Sequence, residues 1–373
     1  MLKWEKKFKS KELILTAMEK IELTKKEKIM LYGLTNYPNL NDKQLSEKLK
    51  LKHSTVTSIR HRLRENKFYR KLIIPILQNM GCKMLVVIYT NFNPLIPLEE
   101  RVKITGKTIE VFDEIFFSVG AQDKGFSLSL AQDYASIGRI NDIRTQTFGG
   151  HGLLENEYPN MVVFPFEISK IYRFFDFAPL LKSSFNLEQI IDGAVRNLSF
   201  VKREAIAFSD TEKKVYCTIV GFPELSDSEI GKKIGVSRHT VSRLRRSFEN
   251  NSMIRRINLP NLKNLGFEIL TFFHIRFDPR HYPDMEKDKA SLLMSSSTIF
   301  LASRMFEAFM ISVHVDYDDY NKDKTRVMQL LKENKWVAED PLISTYSIRE
   351  MITIKDFRFE PIAKKIVGCN FEF

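Results

Sequence analysis

The chain has 373 residues, of which 43% are hydrophobic and 28% charged, with only 15 Gly and 13 Pro. That length suits two to four small domains, and that mixture excludes a disordered or low-complexity protein. Its formal net charge of +12 makes an anionic partner the first question to ask.

The start, Met1-Leu-Lys-Trp-Glu-Lys-Lys, is charged and leads into no apolar run long enough for a signal peptide. The apolar run Met84 to Tyr89 is too short to cross a bilayer and reads as a buried strand. A cytoplasmic protein with no membrane partner is therefore expected. Cys82, Cys217 and Cys369 form no CxxC pair and have no His at ligand spacing, so neither a metal site nor a cofactor is expected.

In chain order, Thr24 to Tyr69 carries apolar residues at helical spacing in three segments, split by Tyr37-Pro-Asn-Leu-Asn and Lys50-Leu-Lys-His. Strands are expected at Met84 to Phe92, Glu114 to Gly120, Gly125 to Ala131 and Asn160 to Pro165, with helices at Leu98 to Val111 and Tyr134 to Thr147. After a charged, helical junction near Leu187 to Ala207, the pattern recurs. Ser226-Asp-Ser-Glu opens one helix and Gly235-Val-Ser-Arg-His-Thr-Val turns into the next, the pattern of a helix-turn-helix. Strands then follow at Ile269 to Phe277, Thr298 to Arg304, Ala308 to Val315 and Pro341 to Ile348, with helices at Asp284 to Ser296 and Tyr317 to Asn334.

Shifting the chain by 185 residues superposes Leu23 to Pro94 on Phe208 to Pro279 without a gap, with 18 identities over 72 positions. Asp42/Asp227, Arg60/Arg245, Pro75/Pro260 and Gly81/Gly266 are among them. A duplication is the economical explanation. The expected fold is α+β: two tandem copies of a winged helix-turn-helix followed by a ferredoxin-like β-α-β-β-α-β domain. The boundaries are 1–80 and 81–186 for the first copy, then 187–265 (linker helix included) and 266–373 for the second.

In the third helix of each trio one face is apolar, Val56, Ile59 and Leu63 or Val241, Leu244 and Phe248. The opposite face, with the residues ahead of it, carries Lys52, His53, Ser54, Thr55, Thr57, Ser58, His61 and Arg62 in the first copy. The second carries Ser237, Arg238, His239, Thr240, Ser242, Arg243 and Arg246, and Lys71 and Arg256 follow toward the next strand. From Lys52 to Lys71 the charge is +6 and from Ser237 to Arg256 it is +5, so two short segments hold nearly all of the excess. A solvated face would mix signs, whereas phosphate neutralisation needs a positive strip, so double-stranded DNA is the expected partner.

The run Ser237-Arg-His-Thr-Val-Ser-Arg-Leu-Arg-Arg, continuing to Leu265-Gly266, resembles the helix-turn-helix and following strand of the leucine-responsive and asparagine-synthesis (Lrp/AsnC) regulators of bacteria and archaea. The resemblance spans both copies and implies a sequence-specific transcriptional regulator, of archaeal origin, with no enzymatic activity. It also implies that the α/β domains pair as an internal pseudo-dimer with two reading heads on one chain, a homodimer of whole chains being left open. Ser118-Val-Gly-Ala-Gln-Asp123 is similar to the family's glycine-and-aspartate turn, so Gly120 and Asp123 are the effector-binding candidates, with an amino acid as the ligand. The second copy has Ser303-Arg-Met-Phe-Glu307 there, and a tight turn needing Gly120 is the plainer account of the first.

Two alternatives stand beside this reading. Some proteins of the same fold are siroheme decarboxylases, including fused pairs, but no His-Asn-Tyr-type run lies on the strands at Glu114 to Gly120 or Thr298 to Arg304, and the seven histidines form no convergent motif. A chromatin protein without sequence preference is the other. The aromatic runs Ile171-Tyr-Arg-Phe-Phe-Asp-Phe and Phe357-Arg-Phe read as packing between the two halves rather than as a cofactor box.

Overall fold

The computed structural model of the chain describes residues 22–155, 158–188 and 207–371. Most of the junction expected to be helical, between Leu187 and Ala207, lies outside the described residues.

Helices α1 (Lys25–Asn36), α2 (Asp42–Leu49) and α3 (His53–Glu65) open the first half. Thr24 and Glu27 close a capping box that starts α1, and Asn41 with Gln44 does the same for α2. Lys50 ends α2 in the left-handed region at φ 53°, where the second half has Gly235 at φ 72°. Strands β1 (Tyr69–Pro75) and β2 (Met84–Asn91), helix α4 (Leu98–Glu110), β3 (Ile115–Gly120), β4 (Lys124–Ala131), α5 (Tyr134–Gly150) and β5 (Asn160–Pro165) follow. The half closes with β6 (Ser169–Phe174) and α6 (Ala178–Ser184).

The second half runs α7 (Asp210–Gly221), α8 (Asp227–Ile234), α9 (Arg238–Asn250), β7 (Ile254–Pro260), β8 (Ile269–Arg276), β9 (Thr298–Arg304), β10 (Glu307–His314), α10 (Tyr317–Glu333), β11 (Leu342–Ser347), β12 (Ile352–Lys355) and α11 (Glu360–Val367). The chain is thus of mixed α and β type. One expectation is corrected here: Asp284 to Ser296 is not an α-helix but a loop with a short 3-10 turn at Lys289–Leu293. The Asp284 carboxylate accepts from the Glu286 and Lys287 amides and Asp288 is left-handed, so side chains satisfy the backbone that a helix would have used.

Strand order in one sheet is β5-β2-β4-β3-β12 and in the other β11-β8-β10-β9-β6. Each sheet therefore ends on a strand lent by the other half: β6 pairs with β9 (Phe174 opposite Phe300) and β12 with β3 (Ile352 opposite Gly120). A third contact joins β1 to β7, antiparallel, with Leu72 opposite Ile257. The aromatic run before α6 and that before α11 meet where the sheets face each other. The Phe116 and Phe359 rings stack at 4.5 Å, and Phe175 meets Phe357 edge-on at 4.6 Å. Further along the same layer Phe126 meets Phe272 at 5.5 Å, and all of these residues are buried. The outer faces carry separate cores, Val86, Ile88, Ile137 and Ile140 on one side and Phe273, Met310, Val327 and Leu331 on the other.

Candidate functional site

The polar face expected to read DNA is real as a surface. Lys52, His53, Ser54, Thr57, Ser58, His61 and Arg62 on α3 are exposed, as are Ser237, Arg238, His239, Arg243 and Arg246 on α9, while Thr55, Thr240 and Ser242 are half-buried. Ser237 caps α9 by accepting from the Thr240 amide, and α3, entered from Lys52, has no side-chain cap.

The charge on this surface is less concentrated than its sequence implies. Seven of the thirteen basic residues in the two segments are ion-paired. Arg60 and Arg245 turn inward to Asp42 (2.6 Å) and Asp227 (2.7 Å), Arg62 pairs with Glu27, and Arg64 (2.8 Å) and Lys71 (3.8 Å) share Glu224. Arg70 meets Asp356 at 2.5 Å and Arg256 meets Glu249 at 2.5 Å. Except for Glu249, those acids lie outside the segments whose charge was summed, so folding neutralises much of the strip.

Gly120 and Asp123 sit where β3 turns into β4. Gly120 is not left-handed, so no tight turn requires it. A Cβ there would lie 3.3 Å from Nη1 of Arg101, and the glycine makes room for that buried guanidinium.

A chain of polar groups that the sequence did not announce crosses between the sheets. Tyr89 on β2 and His274 on β8, 185 residues apart and therefore at matching positions of the two halves, meet with the tyrosine oxygen 2.9 Å from Nδ1. The His274 Nε2 lies 2.8 Å from Glu307 Oε1 on β10, and Arg304 on β9 donates through Nε (3.0 Å) and Nη2 (2.5 Å) to Glu307 Oε2. Tyr89 and His274 are buried, whereas Arg304 reaches solvent. Burial would raise the Glu307 carboxyl, but hydrogen bonds from His274 and Arg304 outweigh it and hold the group below the ordinary carboxylate range. An ionised carboxylate only accepts, so the His274 Nε2 donates to Glu307, and the short bond between Nδ1 and the Tyr89 hydroxyl can carry its proton on either side.

With that geometry in hand, the comparison with solved structures is informative. The chain matches the siroheme decarboxylase NirDL along almost its whole length. The TM-score is 0.50 at 10% identity, covering 92% of this chain and 99% of that one. The same enzyme in co-complex with an iron-uroporphyrin III analogue gives 0.48 at 9% identity with the same coverage. A transcriptional regulatory protein of Pyrococcus furiosus, a member of the AsnC family, is 19% identical over 39% of this chain and 89% of its own, with a TM-score of 0.31. No protein-family profile and no curated protein matches the sequence.

The expectations of a DNA-reading regulator and of a protein without enzymatic activity are corrected by this result, since the match over 92% of the chain is to an enzyme. At such low identity the likeness establishes the fold. Among the described residues no cluster of His, Cys, Asp or Glu could hold a metal, and no helix is long and apolar enough to cross a membrane. The Tyr89–His274–Glu307 chain can orient an imidazole and move a proton along it, which is the equipment of general acid catalysis. Its only sequence signal was the position match of Tyr89 with His274. A tyrosine facing a histidine 185 residues away carries no motif.

Proposed function

We propose that this protein is a decarboxylase of the siroheme type, taking a carboxylate-bearing tetrapyrrole as substrate, with Tyr89, His274 and Glu307 forming its proton relay. The observation that carries the reading is this buried relay at the meeting of two sheets, in a fold that matches a siroheme decarboxylase over 92% of the chain. When a side chain loses carbon dioxide, the C–C bond electrons pass to the ring system and the carbon left behind must take a proton. The Tyr89 hydroxyl supplies it in this proposal, and the proton that restores the phenol comes from Nδ1 of a doubly protonated His274 ring, whose charge is balanced by ionised Glu307, itself held by Arg304. The exposed cations Lys52, Arg238, Arg243 and Arg246 would draw a polycarboxylate toward the protein.

The architecture that accompanies this reading is a duplicated unit, each copy a winged helix-turn-helix and a ferredoxin-like domain divided near residues 80, 186 and 265, paired as an internal pseudo-dimer. Three repeated details support it. Capping boxes at Thr24/Glu27 and Ser209/Glu212 coincide, the ion pairs Asp42–Arg60 and Asp227–Arg245 coincide, and Gly81 (φ 104°) and Gly266 (φ 84°) both occupy the left-handed half of the backbone map. The Gly120–Asp123 turn stays the proposed place for a small effector.

The test is anaerobic incubation with siroheme, followed by mass spectrometry. The expected product is lighter by one carbon dioxide per step, and Tyr89→Phe or His274→Gln should slow its formation by about 10²-fold or more. A wild-type protein that binds siroheme but releases no decarboxylated product would overturn the assignment.

A further inference from the structure

On the outer face of the first sheet, beneath α4 and α5, two guanidinium groups are buried with no salt bridge among the described residues, although the Asp123 carboxylate acts on Arg101 from beyond ion-pair distance. Arg101 on α4 and Arg144 on α5 are 0% and 2% exposed. Arg101 donates to the Ala121 carbonyl and lies 4.6 Å from the centre of the Phe92 ring. Its Nε and Nη1 have no hydrogen-bond partner among the described residues. Arg144 donates to Ser127 Oγ at 2.8 Å and sits 5.6 Å from the Phe148 ring, with its Nε unpartnered. Burial pushes both guanidiniums down, to about 10, and no acidic group opposes this at Arg144.

The floor under them is unusual for a sheet covered by helices. Gly120 pairs with Gly125, Gly125 pairs with Thr90, and Ser118 pairs with Ser127, so small and hydroxyl-bearing residues line the adjacent strands. Arg144 is anchored at Ser127 and Arg101 Nη1 lies 3.3 Å from where a Cβ of Gly120, the partner of Gly125, would stand, while Gly125 and Ser127 are about 7 Å apart along β4. The Thr90 and Ser129 hydroxyls, on the same strands, have no partner among the described residues either.

The second half gives the comparison at the matching positions. Helices α5 and α10 each have 17 residues with four buried positions in the same places, and there Val327 stands where α5 has Arg144. Met310 and Leu301 pair where Ser127 and Ser118 do, and both join an apolar core with Phe273 and Leu331. Isolated buried charge is expensive, and although the second half buries Asp323 where α5 has Ile140, it pairs that carboxylate with Arg326 and needs no charge at the position of Arg144.

We propose that Arg101 and Arg144 form a binding site for a small carboxylate, seated between the two guanidiniums on the Gly120–Gly125–Ser127 floor and built only into the first half. The size of formate or acetate suits a region so thoroughly covered, and guanidinium donors match a planar carboxylate in charge and shape. The site is separate from the Tyr89–His274–Glu307 relay, on the opposite face of the sheet, and the inference does not depend on the decarboxylase reading.

The experiment titrates sodium formate, sodium acetate and sodium phosphate against the full chain at constant ionic strength set with sodium chloride, reading Tm. Saturable rises of roughly 5 °C with formate or acetate are expected, and little change with phosphate. Arg144→Met, which keeps the side-chain bulk, should lose the response and should melt no lower than wild type without the anion, because an uncompensated charge has been removed. Should that variant not fold, carbon-13 line broadening of labelled formate by the wild type, competed by acetate and not by chloride, decides the matter. A wild type that shows neither a saturable shift nor broadening, a larger response to phosphate than to formate, or an Arg144→Met variant that responds like wild type would overturn the proposal.

Discussion

Replacing His274 with Leu tests the relay without assuming any substrate. The substitution keeps the site filled but strips two hydrogen bonds, at 2.9 Å to Tyr89 and 2.8 Å to Glu307. The Tyr89 hydroxyl loses its Nδ1 partner, at a cost of about 1–3 kcal/mol for a buried polar group deprived of one. Glu307 loses one donor but keeps both bonds from Arg304, so its share belongs at the low end of the range for a charged group, about 1–2 kcal/mol. The sum is roughly 2–5 kcal/mol. Tyr89→Phe alone should cost about 1 kcal/mol, and because both changes delete the same bond the double variant should be more stable than the sum of the single effects by about 0.5–2 kcal/mol. Urea unfolding followed by circular dichroism, on the four proteins of the cycle, measures this. Strictly additive effects would mean that Tyr89 and His274 are not coupled, and the relay would not exist. The cycle also has a pH signature. The folded-state pKa of Glu307 is depressed, so its contribution is fully present above the ordinary glutamate pKa and is lost as pH falls through the lower folded value. Wild type should therefore lose more stability than Glu307→Gln on acidification below about pH 4.

The matched ion pairs separate burial from proximity. Arg245 has a side chain 10% exposed, against 27% for Arg60, so Asp227→Ala should cost about 3 kcal/mol and Asp42→Ala nearer 1 kcal/mol, read as unequal drops in Tm. Equal drops would count against the role assigned to burial. Ser237→Ala removes the α9 cap and should cost about 1 kcal/mol, while Lys52→Ser should gain a similar amount by supplying α3 with the cap it lacks, both by denaturant midpoint. Gly231→Ala would place a Cβ 2.6 Å from the Val236 carbonyl oxygen, within backbone that cannot yield cheaply, and should lower Tm markedly, whereas Gly138→Ala, with open space around it, should leave Tm unchanged or slightly raised.

Much that is local in this protein was legible in its sequence. Capping residues, the left-handed stops, and the 3.6 and 2 residue periods place most helices and strands within a few residues of where they stand, and Asp42 and Arg60 recur as Asp227 and Arg245 because each pair bridges two neighbouring helices. The stretch Asp284 to Ser296 forms a loop rather than the expected helix because the Asp284 side chain takes the backbone amides of Glu286 and Lys287. What sequence could not supply is which distant groups meet. A sum of charge along α3 and α9 counts lysines and arginines but not Glu224 and Asp356, which folding carries to them from far along the chain. Strand exchange between halves leaves no periodic trace, since β6 and β12 are short and find their partners only across the molecule. The relay depends on a contact between residues 185 positions apart, and the buried Arg144 looks like any surface arginine until α5 is laid on its sheet. Periodicity records which face of an element is apolar, and only the assembled tertiary structure decides what that face, or a charge upon it, is pressed against.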